Sequence, residues 1–109
     1  MKLPSIKANE NYTHYSVSGT DYCIVETENM VFFNGVLKGN GQVTMEVPVP
    51  FNFPYTMPIT VRHSQGGDMG ICFTEANSKN VNAYLSGLTS AKFNSGDTYQ
   101  FNFCYVKTT

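Results

Sequence analysis

GNGQVTMEVPVPFNFPYTMP, which runs from Gly39 to Pro58, is the stretch that says most about the architecture of this 109-residue chain. Its first half alternates strictly between apolar and polar side chains. The apolar positions, all on one side of an extended backbone, are Val43, Met45, Val47 and Val49. A period of two is typical of a β-strand with one buried face, so this segment predicts a strand that covers part of a core.

Prolines interrupt the strand that this alternation predicts. They stand at Pro48, Pro50, Pro54 and Pro58. Because proline has no N–H to donate, the strand must end or become a sheet edge there. The aromatic residues Phe51, Phe53 and Tyr55 lie between these prolines. We therefore expect a stiff, extended segment that lies as a lid over an open end of a β-sandwich or barrel.

Short strand-like runs separated by turn residues make up the rest of the pattern. The predicted strands are 22–26, 30–39, 42–49, 59–63, 69–74, 81–86 and 95–107. Gly39-Asn40-Gly41 predicts a hairpin turn, and Asn34-Gly35 predicts a bulge or turn within the second strand. Strands at roughly ten-residue spacing are typical of all-β domains. The fold class we expect is all-β, a small antiparallel β-sandwich or barrel of about seven strands.

The domain organisation follows from where these strands begin. Residues 1–20 are polar and weakly patterned, and predict an N-terminal arm or the stub of a longer chain. Residues 21–109 contain all the predicted strands and are long enough for one core. We therefore expect a single β-barrel domain over 21–109.

The predicted strands carry more apolar surface than a small domain can cover. In the last strand the aromatic side chains share one face, and they are Tyr99, Phe101, Phe103 and Tyr105. The opposite face still contains Cys104 and Val106, and Val31 to Phe33 are three consecutive apolar residues. Surplus apolar surface usually marks a protein–protein interface. The sequence therefore predicts a homo-oligomer.

Composition argues against nucleic acid and membrane partners. Charged residues make up 14% of the chain and the net charge is -1, whereas a phosphate-backbone footprint needs clustered Lys and Arg. No apolar run reaches transmembrane length, and the N-terminal residues lack the apolar centre of a signal peptide. A neutral surface rich in Asn, Ser, Thr and Gly suits hydroxyl-rich ligands or contacts between copies.

The three cysteines, Cys23, Cys72 and Cys104, each lie in a strand-like run without CxxC spacing. They predict free thiols and assembly in a reducing cytoplasm, with one disulfide plus one free thiol as the alternative. The two histidines are too few for a zinc site, so we expect no metal and no cofactor.

Catalytic motifs are missing from the sequence. There is no GxSxG, HExxH or P-loop. Glu26 and Glu28 share a strand face, but paired glutamates beside a turn are typical of a solvated surface. His63 and Cys72 form a conceivable thiol–imidazole pair, yet the alternation assigns Cys72 to a buried or interface layer. The sequence predicts that the protein is not an enzyme.

Candidate saccharide-binding residues cluster in the second half of the chain. They combine a guanidinium, an imidazole, amides, carboxylates and an aromatic ring, groups that can match sugar hydroxyls or stack on a pyranose. The candidates are Arg62, His63, Gln65, Asp68, Glu75, Asn77 and Tyr84. Each has a plainer interpretation: Arg62 is an ordinary surface residue, His63 is half-buried on the face of Ile59 and Val61, and Asp68 forms a turn. We expect the Glu75–Tyr84 hairpin to lie near Arg62.

Five short elements are spread over roughly residues 31–106: Gly35-Val36-Leu37, VPVPFNFP at 47–54, Thr60 to His63, Gly70-Ile71-Cys72-Phe73 and Gly96-Asp97-Thr98-Tyr99. In these elements the chain resembles the receptor-binding head domains of tailed phages that infect lactococci and streptococci. The resemblance implies a homotrimer at the tail tip or baseplate of a virion, assembled in the bacterial host cytoplasm. It also implies non-enzymatic attachment to host cell-wall or surface saccharides. The alternatives are a structural baseplate or decoration β-domain and a cellular lectin-like module.

Overall fold

The computed structural model describes residues 12–83 and 92–107, and within those ranges it contains strands, turns and loops but no helix. The strands are β1 (Tyr12–Val17), β2 (Thr20–Glu26), β3 (Met30–Lys38), β4 (Thr44–Glu46), β5 (Pro58–His63), β6 (Met69–Thr74), β7 (Asn80–Ala83) and β8 (Thr98–Val106). They form one antiparallel sheet that curls into a half-barrel. The all-β antiparallel prediction is confirmed.

The last strand lies in the middle of the sheet. The strand order is β1-β2-β3-β8-β5-β6-β7-β4, so β8 pairs with β3 on one side and β5 on the other. Along β8 the residues alternate between buried and exposed. The buried ones are the predicted aromatic set, Tyr99, Phe101, Phe103 and Tyr105. This set forms the centre of the inner face of the half-barrel, and its predicted alternation is confirmed.

Residues 47–57, here called the crossing segment, cover the end of the half-barrel where β2, β6 and β8 finish. Pro48, Val49 and Pro50 lie beside Ile24 and Glu26 at the end of β2. Val47, Val49 and Phe53 are each buried within the main apolar cluster. The predicted lid is therefore present, and the alternation of buried and exposed residues continues through its prolines.

Ring contacts and hydrogen bonds hold the crossing segment in place. Phe53 is fully buried and packs against Phe103 and Tyr105, with ring centroids 5.7 and 4.8 Å apart. The Tyr105 hydroxyl donates to the carbonyl of Phe51 at 2.5 Å. The buried hydroxyl of Thr74, at the end of β6, donates to the carbonyl of Tyr55 and accepts from the N–H of Met57. These contacts join the crossing segment both to β8 and to β6. In the sheet, β5 lies between these two strands.

Three predictions for residues 39–49 are wrong. Val43 is 56% exposed, because residues 41–43 form a bend before β4. Gly39 to Gly41 do not make a hairpin turn: β3 and β4 lie far apart in the sheet, and the N–H groups of Gly39 and Gly41 donate to the carbonyls of Asp97 and Phe93. The predicted strand 42–49 shortens to three residues, because the chain leaves the sheet edge as the prolines begin.

Gly35 is neither a bulge nor a turn, and β3 pairs without interruption with both neighbours. A Cβ atom at position 35 would lie 2.3 Å from the Cα atom of Tyr22. Glycine is required there because β3 and β2 approach too closely for a side chain. The space lets the Tyr22 ring stack on Phe33, with centroids 5.4 Å apart.

Strand β1 was not predicted, because all six of its residues are exposed and carry no apolar alternation. It pairs in continuous register with β2 and forms one edge of the sheet. Residues 12–17 of the predicted N-terminal arm are therefore part of the sheet.

Truncation of Phe53 tests the importance of the crossing segment. Phe53→Ala should lower the free energy of unfolding by about 3–5 kcal/mol, because it removes a fully buried ring and leaves a cavity. Tyr55→Ala, in the same segment but 51% exposed, should change it by about 0.5 kcal/mol or less. Urea unfolding of both variants measures the difference, and equal losses would contradict the assigned role of Phe53.

Alkaline pH should destabilise the fold. Burial raises the pKa of the Cys72 thiol from its ordinary 9.0 to about 12, and burial raises the pKa of the Tyr105 hydroxyl from 10.0 to about 12. Both groups therefore keep their protons in the folded chain at pH values where the unfolded chain releases them. Stability is fully present below 9.0 and falls as pH rises towards 12, by up to about 1.4 kcal/mol per pH unit for each group.

Urea unfolding on both sides of pH 9.0 measures this dependence. Cys72→Ala is the matched variant. It lacks the buried thiol, so its free energy of unfolding should begin to decline only nearer 10.0, the ordinary pKa of Tyr105. Unfolding free energies that stay constant through this range would refute the assignment.

Candidate binding surface

The outer face of the central strands carries a polar groove of about 510 Å³. The side chains that give the groove its chemistry are Asn34, Thr60, Arg62, Met69, Gln100 and Asn102. They come from β3, β5, β6 and β8, which are neighbours in the sheet although they are distant in sequence. We use the name polar groove for the space between these six side chains.

Strand register brings the groove residues together. Asn34 on β3 is the direct cross-strand partner of Asn102 on β8. Arg62 on β5 is opposite both Gln100 on β8 and Met69 on β6. Directly opposite residues in an antiparallel pair point to the same face, so their side chains lie close together. The groove is therefore built on strands, which hold their side chains more rigidly than loops do.

Among the described residues that line the polar groove, Arg62 is the one that carries a charge. Its guanidinium donates to the amide oxygen of Gln100 at 3.5 Å, a long contact that leaves donor capacity unused. Among the described residues no carboxylate lies within ion-pair distance of Arg62. The groove thus presents amide donors and acceptors, a hydroxyl, a thioether, one guanidinium and the apolar side chain of Val36.

A second, more apolar groove adjoins the first on the side of β2. It shares Asn34 and Asn102 with the polar groove and is otherwise lined by residues of β2, β3 and β8. Its apolar rim consists of Val25 and Phe32, which are 37% and 43% exposed. Cys23 and Cys104 also line it, and both thiols are free.

His63 faces the core and contributes to a hydrogen-bond network at the end of the half-barrel opposite the crossing segment. Its side chain is 12% exposed, and its Nε2 atom lies 2.7 Å from a carboxylate oxygen of Asp97. The imidazole stacks on the Tyr99 ring at 5.0 Å. The side chain of Gln65 accepts from the N–H of Thr98 at 2.9 Å. These contacts fasten the β5–β6 turn to the start of β8, so His63 and Gln65 have structural partners.

The predicted site residues divide between the two ends of the sheet. Arg62, His63, Gln65 and Asp68 lie at or beside the β5–β6 turn. Glu75 and Asn77 follow the other end of β6, about 20 Å away along six strand residues. The expectation that the two groups lie close together is wrong. Tyr84 lies outside the described residues.

Asn77 has a structural role in its turn. Its backbone has a φ of 61°, which Asn tolerates better than most residues. Its N–H donates to the carbonyl of Phe53 at 2.7 Å, and its carbonyl accepts from the side chain of Asn52. This residue therefore anchors the crossing segment to the β6–β7 turn.

Sequence reasoning identified Arg62 but missed the other polar groove residues as members of a site. Alternation along the last strand predicts that Gln100 and Asn102 lie opposite the aromatic face, and both are exposed there. What alternation could not supply was the pairing of β8 with β3 and β5, which brings Asn34 and Thr60 alongside.

The described part of the chain holds no cluster of three or more His, Cys, Asp or Glu residues arranged to bind a metal ion. Within the same residues no helix has the length and apolarity to cross a bilayer. Comparison of the chain with protein-family models, curated proteins and solved structures gave no match. The candidate surface therefore rests on its geometry.

Two His–Asp pairs of similar length allow the structural role of His63 to be tested. Asp97→Ala removes the partner of a largely buried imidazole and should lower the free energy of unfolding by about 1–3 kcal/mol. Asp21→Ala removes the partner of His14, whose side chain is 49% exposed, and should lower it by less than about 1 kcal/mol. Urea unfolding compares the two, and a larger loss for Asp21→Ala would overturn the assignment.

Proposed function

We propose that this protein is a non-enzymatic attachment domain that binds a bacterial cell-surface saccharide in the polar groove, as the receptor-binding head of a phage tail tip. The observation that carries the proposal is the convergence of three amides, a hydroxyl and a guanidinium on one space of about 510 Å³. That volume is within the range of small-ligand sites.

The chemistry of the groove suits a polyhydroxylated ligand. Each amide of Asn34, Gln100 and Asn102 offers both donors and an acceptor, and so can match a sugar hydroxyl in either role. The Arg62 guanidinium adds a planar fork of donors. The thioether side chain of Met69, 55% exposed at the rim, offers an apolar contact for the C–H face of a pyranose.

Binding without catalysis fits the same side chains. General acid–base chemistry uses groups that exchange protons near the working pH, and glycoside hydrolysis usually needs two carboxyl groups. The side chains that line the polar groove are three amides, a hydroxyl, a thioether, a guanidinium and the isopropyl group of Val36, and none of them is a carboxyl, an imidazole or a thiol. Its chemistry is therefore that of a binding surface.

The tail-tip location rests on the resemblance of 31–106 to phage receptor-binding heads. The VPVPFNFP element is the most distinctive part of that resemblance, and in this fold it closes one end of the half-barrel. The exposed apolar groove beside the polar one supports self-association, as in a virion assembly.

A structural β-domain without saccharide affinity is the second candidate, and the exposed apolar side chains favour it. Val25, Phe32 and Val106 are all more than a third exposed on the outer face. A protein partner on this face would cover them together with part of the polar groove. Saccharide binding by the isolated protein distinguishes the two candidates.

Removal of Arg62 tests the proposed site. Arg62→Ala should weaken saccharide binding about tenfold or more, because hydrogen bonds from charged donors contribute about 1.5–3 kcal/mol. The probe is purified cell-wall polysaccharide from lactococcal and streptococcal strains, titrated by calorimetry. Lys79→Ala, which removes one cation from the β6–β7 turn, is the matched control and should bind as the wild type does.

The same titration separates the two ends of the sheet. Weakened binding by Glu75→Ala with normal binding by Arg62→Ala would move the site to the β6–β7 turn and refute the polar groove. Failure of the wild type to bind any of the polysaccharides would support the structural candidate. Blocking of phage adsorption by the purified domain would distinguish a phage head from a cellular lectin.

A further inference from the structure

The two edges of the sheet are built very differently. The β4 edge has only three residues, and Pro48 and Pro50 follow it closely. Short edge strands and prolines are common devices that prevent a sheet from pairing with another chain. The β1 edge has six residues and contains no proline, lysine, arginine or carboxylate. Its register with β2 is continuous, so no bulge protects it either.

Strand β1 also gains little stabilisation from burial against the rest of its own chain. All six of its side chains are exposed, and within residues 12–83 and 92–107 it pairs with β2 alone. Ordering a strand costs conformational entropy, which burial normally offsets. A six-residue edge with free backbone groups on one side is suited to gain a further strand.

An aromatic ladder on the inner face reaches this edge and stops there. The rings of Tyr15, Tyr22, Phe33 and Phe103 stack in order across β1, β2, β3 and β8. Their centroid separations are 5.3, 5.4 and 5.0 Å, and the planes of successive rings differ by 26° or less. Tyr15, the last ring, is 45% exposed. The ladder thus ends in an aromatic ring that lacks a neighbour on its outer side among the described residues.

We infer that β1 pairs antiparallel with β1 of a second copy of this chain, around a two-fold axis that passes between the two Tyr15 residues. A two-fold axis of an antiparallel pair is perpendicular to the sheet, so a residue on the axis faces its own copy. With Tyr15 there, the two ladders join through a Tyr–Tyr contact, which is a favourable cross-strand pair. Thr13 then faces Val17, and His14 faces Ser16, so no like charges oppose each other.

This inference is independent of the proposed saccharide binding. The polar groove lies on β3, β5, β6 and β8, away from the β1 edge. Substitutions at the β1 edge therefore leave the side chains of each groove in place, and substitutions in the groove leave the β1 edge in place. The pairing predicts a dimer or a multiple of it, unlike the trimer that the family resemblance implies.

Sedimentation equilibrium of the full chain tests the pairing first. The expected mass is twice the 12.1 kDa of one chain, with monomer only at high dilution. Tyr15→Lys should weaken the dimer about tenfold or more, since it ends the ladder and places two cations opposite each other. Glu46→Lys puts the same residue on the β4 edge and should leave the dimer intact. An unchanged far-ultraviolet spectrum confirms that each variant is folded.

Site-specific crosslinking tests the register. In a Cys23→Ser, Cys104→Ser background, Tyr15→Cys places two thiols on the axis with Cβ atoms about 5 Å apart, close to disulfide reach. Val17→Cys is on the same strand and face, but the two copies of that position lie about 13 Å apart. Rapid oxidation should crosslink the Tyr15→Cys variant and leave the Val17→Cys variant without a crosslink.

Several results would overturn the inference. One is a wild-type monomer at high concentration. A trimer, equal crosslinking at positions 15 and 17, or a dimer that resists Tyr15→Lys would do so as well.

Discussion

The apolar inner face of this single open sheet must be covered, and the rest of the structure depends on that constraint. A β-sheet with one apolar face must bury it against a second layer. Within residues 12–83 and 92–107 there is no helix and no second sheet to provide that layer. The crossing segment provides it at one end instead, with Val47, Val49 and Phe53 in the core. Its prolines restrict the unfolded backbone, so less conformational entropy is lost when the segment is ordered.

The position of the core determines which surface is free to bind. Because the aromatic side chains of β8 all point inward, its polar side chains all point outward, where β3 and β5 add their own. Arg62 and Gln100 are held as cross-strand partners, and so are Asn34 and Asn102. A groove of this kind is fixed by the same pairing that stabilises the sheet. Its geometry therefore does not depend on loop conformation.

The sequence pattern correctly predicted the features that depend on residues close together in the chain. Alternation correctly identified the buried face of β8, and the run of prolines correctly predicted the crossing segment, because both depend on neighbouring residues alone. The hairpin at Gly39–Gly41 failed because its N–H groups pair with residues near β8, more than fifty positions away in sequence. The separation of Glu75 from Arg62 was missed because it depends on the direction of β6. Of the candidate site, sequence reasoning identified Arg62 alone. Alternation put Gln100 and Asn102 on the outer face without marking them as site residues, and the rest depended on strand order.

Gly35 connects the packing of the core with the β1 edge of the sheet, where we infer that two copies pair. Its missing side chain lets Tyr22 lean onto Phe33, so the stacking that begins at Phe103 continues to Tyr15 on β1. A two-fold axis perpendicular to the sheet at β1 would keep the outer faces of both copies on the same side. Both polar grooves would then face one target surface. Two weak saccharide contacts presented together bind a repetitive surface far more tightly than one, because the second contact forms at high effective concentration. Edge pairing would thus convert a shallow groove into an effective attachment device.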